Sequence, residues 1–158
     1  MLEIFIDGAC SGNPGLASIG VVIKKDNQIV KEIARLIGNA TNNIAEYSAF
    51  IAALEEALSL KENQIKVYTD SQLLYNQLRG TYKVKNDQLK DLWQKATDLA
   101  KKFKAVEIVN VRREENKEAD KLASGLLQKT LKEEQAKAVA PTFRFTSQCG
   151  EESPSSEG

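Results

Sequence analysis

Four carboxylates in this 158-residue chain stand where the residue pattern makes a charge expensive. Residues 2–7, LEIFID, alternate as a strand does, so Leu2, Ile4 and Ile6 share one side and Glu3, Phe5 and Asp7 the other. Asp7 closes that strand, and Asp70 closes another, QIKVYTD at residues 64–70. Glu46 lies one turn before Ala49, Phe50, Ala53 and Ala57 on an apolar helical stripe, and Asp120 precedes Ala123 and Leu127 in the same way. A carboxylate on an apolar helix face is costly unless something pairs with it. Open α/β sheets bind ligands beyond the carboxyl ends of their strands. Four carboxylates converging there would repel one another, and a divalent cation relieves that repulsion. Two cations about 3.5–4 Å apart can hold both the attacking and the leaving oxygen of a phosphoryl transfer. Simpler readings stand beside this one: Asp7 opens an Asx-type turn, and Glu46 is a solvated surface residue.

The elements that must position these groups follow from periodicity. After the first strand, Gly8, Gly12, Pro14 and Gly15 break the pattern and let backbone approach a ligand. Residues 17–24 and 28–37 flank Lys25-Asp26-Asn27 and complete an antiparallel meander. Residues 38–43, GNATNN, read as a loop with helix-cap candidates, followed by a helix over 44–60. A strand at 64–70, a short helix at 71–79, a turn at 80–87, a helix at 89–104 and a strand at 105–111 come next. The turn sets Tyr82 among Arg79, Lys83 and Lys85, a combination that suits a nucleic-acid backbone as well as a solvated loop. Trp93 reads as core. Residues 112–120, RREENKEAD, read as a solvated charged loop entering a last helix that ends near 137. The order is β-β-β-α-β-α-α-β-α. Residues 140–146 alternate, with Phe143 and Phe145 on one face of a possible docked strand, and 147–158 have the composition of a disordered tail. Residues 1–139 thus read as one domain.

Composition narrows the chemistry. Twenty-two basic and 22 acidic residues cancel, which neither requires nor excludes a nucleic-acid partner. There is no histidine, so histidine triads and histidine metal ligands are excluded, and acid–base or metal chemistry falls to Asp and Glu. Carboxylate sites suit hard cations such as magnesium or manganese. No apolar run is long enough to span a bilayer, and cytoplasm is the default expectation. The two cysteines, Cys10 and Cys149, read as free thiols there.

The segments FIDGACSGNPG, ATNNIAEYSAFIAAL, VYTDSQLL and ENKEADKLA, in this order and spacing, resemble the four signatures of type 1 ribonuclease H over roughly residues 1–135. The resemblance implies an α/β ribonuclease H-like fold: a five-stranded mixed sheet, its first three strands antiparallel, with helices on both faces. It implies an enzyme, expected as a monomer, that hydrolyses the RNA strand of RNA/DNA hybrids with two Mg2+ ions, Mn2+ substituting, and leaves 5′-phosphate and 3′-hydroxyl ends. Asp7 would bridge the ions. Glu46 and Asp70 would hold the ion on the leaving-group side, and Asp120 the ion that activates water. Backbone atoms of Cys10 and Gly12, and the side chains of Asn13, Asn43 and Gln72, would lie in the minor groove, where Glu46 would also touch a 2′-hydroxyl, the group that distinguishes RNA from DNA. Thr41 and Asn43 would receive a DNA-strand phosphate. Asn42 and Asn43 are also cap candidates, and one residue can serve both roles.

The chain departs from the family in three places, the first being Cys10, which stands where the family often has Ser, a change that a backbone contact would survive. The basic handle of longer members is reduced to residues 80–87, and the loop histidine before the last Asp is missing, with Glu114 or Glu115 as candidate stand-ins. Compact relatives sometimes also cut double-stranded RNA. The competing expectations are another nuclease of the same fold, such as an integrase or resolvase, and an inactive hybrid-binding module.

Overall fold

The computed structural model describes residues 1–138. Five strands form one sheet: β1 (Leu2–Cys10), β2 (Gly15–Lys25), β3 (Gln28–Ala40), β4 (Gln64–Thr69) and β5 (Ala105–Asn110). The helices are α1 (Asn42–Ser59), α2 (Gln72–Leu78), α3 (Asp87–Ala100) and α4 (Lys117–Ala138), with a 3-10 turn at Arg113–Glu115. Strand order is β3-β2-β1-β4-β5. The first three strands pair antiparallel, and β4 and β5 join parallel to β1. The expected fold and element order are therefore the ones observed.

The alternation of β1 sorts its side chains between two layers. Leu2, Ile4 and Ile6 enter the main core with Ile19, Val21 and Ile23 of β2 and the apolar stripe of α1, including Phe50, Ala53 and Leu54. The other face of β1 and β2 receives α4, whose Ala119, Ala123 and Leu127 are buried. Ser18 points to that face, where its hydroxyl donates to the Ala123 carbonyl at 2.5 Å.

Three boundaries differ from expectation. The helix expected at 89–104 begins earlier, at Asp87, where the Asn86 side chain caps it, and ends at Ala100. Asp7 does not end β1: the strand continues through Gly8, Ala9 and Cys10, which pair with Ile19, Ser18 and Ala17. Residues 38–43 are not a loop. Gly38, at φ +81°, lets β3 run to Ala40, and Thr41 caps α1, its Oγ1 accepting from the Ile44 N–H at 3.2 Å. The cap is thus Thr41 rather than Asn42 or Asn43, which lie in the first turn and are exposed. The docked strand expected at 140–146, the tail expected at 147–158 and Cys149 lie outside the described residues.

The reduced 80–87 segment hangs on one buried amide. Tyr47 Oη donates to Gln77 Oε1 at 2.7 Å, Gln77 Nε2 reaches the Lys83 carbonyl at 3.4 Å, and Trp93 Nε1 donates to the Gln77 carbonyl at 3.2 Å. Trp93 packs half-buried against the core, as its pattern predicts. Gln77→Leu strands the buried Tyr47 hydroxyl and is expected to cost about 2 kcal/mol, read as a fall in melting temperature of about 4–8 °C. Adding Tyr47→Phe is expected to recover most of that loss, because removing both partners leaves no unpaired polar group.

Candidate active site

Three of the four singled-out carboxylates meet at the carboxyl edge of the central strands. One ligand atom each from Asp7, Glu46 and Asp70 lies within 4.8 Å of the other two. Asp7 comes from β1 and is only 4% exposed. Asp70 follows the last residue of β4, and Glu46 sits in the second turn of α1. Asp120, in the first turn of α4, shares a hydrogen bond with the Asp7 carboxyl. Ser124 Oγ donates to Asp120 Oδ1 at 3.2 Å and fixes its orientation.

Two glycines let the helices in. Gly8 faces α1, where a Cβ would come within 2.7 Å of the Ala45 backbone carbon and 2.9 Å of the Glu46 nitrogen. The partner of this close approach is helix backbone, not the ligand the sequence pattern anticipates. Gly20, paired opposite Asp7, does the same on the other face. A Cβ there would overlap the Ala119 carbonyl oxygen and approach the Ala123 nitrogen to 2.9 Å. Each carboxylate-bearing helix thus docks on a bare point of the sheet. Gly8→Ala must push α1 outward and carry Glu46 with it. It is expected to lower the melting temperature and to weaken cation binding by at least about tenfold, the lower end of what displaced metal-site support costs, measured by titrating Mn2+ into the purified variant.

The electrostatics are those of buried carboxylates crowded together. Burial, then the charge of Asp70, then a hydrogen bond and charge from Asp120 push Asp7 up to about 8. Burial, then Asp7 and Asp70, raise Glu46 well above the carboxylate range, against the Gly8 amide and the Arg113 guanidinium. Burial raises Asp70, against a bond from Asn116 and the charge of Arg113. Glu46 Oε1 is buried with no hydrogen-bond partner among the described residues. All-oxygen, mutually repelling donors, one of them with a buried and unpartnered oxygen, fit a hard divalent cation.

The other expected residues border this cluster. Asn42 and Asn43 line the same cleft as Asp7, Glu46 and Asp70. Asn13 Oδ1 accepts from the Asn42 N–H at 3.0 Å, tying the β1–β2 turn that holds Gly12 to the start of α1. That bond leaves the Asn13 amide nitrogen free to donate. Thr41 stands immediately before Asn42 as the cap. Burial, then the Glu46 charge, pushes the Cys10 thiol up, and its Sγ lies 3.4 Å from the Ala40 carbonyl. Gln72 lines an adjoining groove with Asp70, Arg113 and Glu114. Glu115 is committed elsewhere: its Oε1 accepts from the Arg112 N–H at 3.2 Å.

Three contributors escaped sequence reasoning. Gly20 lies inside an apolar strand with no motif around it. Arg113 and Asn116 sit in a charged run that reads as solvated, yet Arg113 lines both clefts and Asn116 is 1% exposed.

A mixed five-stranded sheet with this order, carrying acids on β1, α1 and the end of β4, defines the ribonuclease H-like class. Accordingly, residues 5–125 match the reverse transcriptase-like family model. The chain is 39% identical to the crystal structure of RNase H1 from Halobacterium salinarum, with a TM-score of 0.79, covering 81% of this chain and 98% of that one. It is 36% identical to LC11-RNase H1, a compost metagenome protein solved in complex with an RNA/DNA hybrid, with a TM-score of 0.78 over 83% of this chain and 99% of that one. A bifunctional protein of Mycobacterium tuberculosis is 38% identical over 75% of this chain, which spans only 33% of that relative's length. The chain also spans 64% of the full ribonuclease HI of Halobacterium salinarum, at 41% identity. The chain belongs to the ribonuclease HI family.

Proposed function

We propose that this chain is a metal-dependent endonuclease that hydrolyses the RNA strand of RNA/DNA hybrids. The observation that carries the reading is the convergence of Asp7, Glu46 and Asp70, with a buried Glu46 oxygen left unpaired. When bound, two Mg2+ ions would acidify a water and neutralise charge on the phosphate oxygens. Asp7, between the other three acids, would bridge the ions. Glu46 and Asp70 would hold the one on the leaving-group side, and Asp120, oriented by Ser124, the one on the water side. The products would carry 5′-phosphate and 3′-hydroxyl ends.

The chain's own residues supply the positioning. Gly8 seats α1 against β1, and Gly20 seats α4 against β2. The bond between Asn13 and Asn42 fixes the β1–β2 turn against the start of α1. Cys10 and Gly12, through backbone, and Asn13, Asn43 and Gln72, through side chains, would read the minor groove, and Thr41 and Asn43 a DNA-strand phosphate, with Asn42 beside them. A hybrid presents a 2′-hydroxyl on one strand only, which such a set can require. Arg113, between the two clefts, is placed to meet phosphate charge.

The test is end-labelled RNA as hybrid, as duplex RNA and as single strand, with Mg2+, Mn2+ or chelator. Metal-dependent cutting of the hybrid, leaving 5′-phosphate ends and absent in Asp7→Asn, supports the reading. Binding without cutting under either metal would replace it with that of a hybrid-binding module. Equal cutting of duplex RNA would show that the DNA-strand contacts are not selective.

A further inference from the structure

One residue touches three of the four acid-bearing elements. Asn116 precedes α4 and is 1% exposed. Its Nδ2 donates to the Ile6 carbonyl of β1 at 2.7 Å, the peptide adjoining Asp7. The same nitrogen reaches Asp70 Oδ2 at 3.4 Å. Its backbone carbonyl accepts from the Asp120 N–H at 3.1 Å, the first helical bond of α4. The amide cannot be turned over. The Ile6 carbonyl only accepts, so the Nδ2 side must face it. Both amide protons are then directed, one to β1 and one to Asp70. Asn116 Oδ1 is left buried with no partner among the described residues.

From these bonds we infer that Asn116 is a positioning residue, which sets Asp70 and Asp120 against β1 so that the carboxylates are spaced for cations before any arrive. It holds Asp70 by Oδ2 and leaves Oδ1 without that tether. It touches no substrate; it acts through the acids. A purely structural amide would contribute stability alone. Asn116 joins the groups that must not drift apart under their mutual repulsion, so its loss must show in cation binding beyond its effect on folding. The inference rests on the metal-dependent reading above.

The experiment compares the full chain with Asn116→Ala and Asn116→Ser. Serine keeps one hydroxyl donor for the Ile6 carbonyl but has no second proton for Asp70. Two quantities are read: the melting temperature without metal, and the Mn2+ concentration at half of the metal-induced rise in that temperature. Hydrolysis of hybrid at saturating metal supplies kcat and KM. Asn116→Ala is expected to raise the half-saturating Mn2+ concentration about tenfold or more, as loss of support to a metal ligand does. It should lower kcat and leave KM within about twofold. Asn116→Ser should recover melting temperature but not cation affinity. A Mn2+ midpoint unchanged in both variants, or one that recovers with melting temperature in Asn116→Ser, overturns the positioning role while the nuclease reading stands. A wild-type protein that shows neither a Mn2+-induced rise nor hydrolysis overturns both.

Discussion

Asp7→Asn is expected to abolish Mg2+-dependent hydrolysis and, in the same protein, to raise the melting temperature measured without metal. The first effect follows from position. Asp7 lies in the cluster with Glu46 and Asp70 and beside Asp120, and on the proposed two-ion reading it is the ligand the cations share. Losing mere support to a metal ligand costs 10–100-fold, so losing the shared ligand should exceed about a hundredfold. The second effect follows from linkage. The Asp7 carboxyl stands at about 8 in the folded chain against 3.8 for an ordinary Asp, so the folded state holds a proton that the unfolded state has released. Stability therefore falls as pH rises between these values, and the full benefit is present only below the lower one. Asparagine removes that cost without changing shape. At pH 7.5 in chelator the variant should gain on the order of a few kcal/mol, or about 5–10 °C. The gain should vanish as pH falls towards 4. In Mg2+ the wild type should rise and the variant should not. Thermal unfolding at three pH values, with and without metal, reads all of this.

Gly20→Ala is expected to be the most damaging single methyl group in the chain. It adds a Cβ where the backbone of α4 lies on the sheet, and the clash is with the Ala119 carbonyl and the Ala123 nitrogen rather than with a side chain that can turn away. Helix backbone yields only by moving the helix. Overpacking of this kind costs about 1–3 kcal/mol and sometimes more. The displaced segment carries Asp120, so activity should fall further than stability. The comparison is Gly125→Ala, also in α4, where a Cβ meets nothing within 4 Å and alanine favours the helix. That variant should match or slightly exceed wild type in melting temperature. Circular dichroism on the two proteins separates crowding at the α4–β2 contact from a general intolerance of substitution.

Much of this site is legible in the chain because carboxylates on apolar faces violate the pattern around them. Glu46 on the stripe of Phe50 and Ala53, and Asp120 on that of Ala123 and Leu127, announce themselves by being misplaced. The sheet reads equally well, since β1, β2 and β4 carry clean apolar segments between turn residues. What is not legible is contact across the fold. Gly20 looks like any small residue in ASIGVVIK, and only the paired register with Asp7 and the arrival of α4 make it decisive. Asn116 is hidden in RREENKEAD, where charge on either side predicts solvent. It is buried because the chain must drop from β5 back beneath β1 before α4 can begin. The end of β1 is obscured for a related reason: Gly8 and Gly15 look like turn glycines, but cross-strand pairing with β2 holds the residues after Asp7 extended.

The most direct measurement is a titration of the metal-free protein with Mg2+ in a weak, unligating buffer, with proton release recorded as cation is added. Burial and then neighbouring carboxylate charge push Asp7 up to about 8 and Glu46 well above the carboxylate range, so cation binding is expected to displace protons, that of Asp7 among them. The expected result is saturable binding with proton release that grows as pH is lowered from 8 towards 6 and disappears in Asp7→Asn. Binding without proton release, or no difference between the wild type and Asp7→Asn, would contradict a cation site built on these carboxylates.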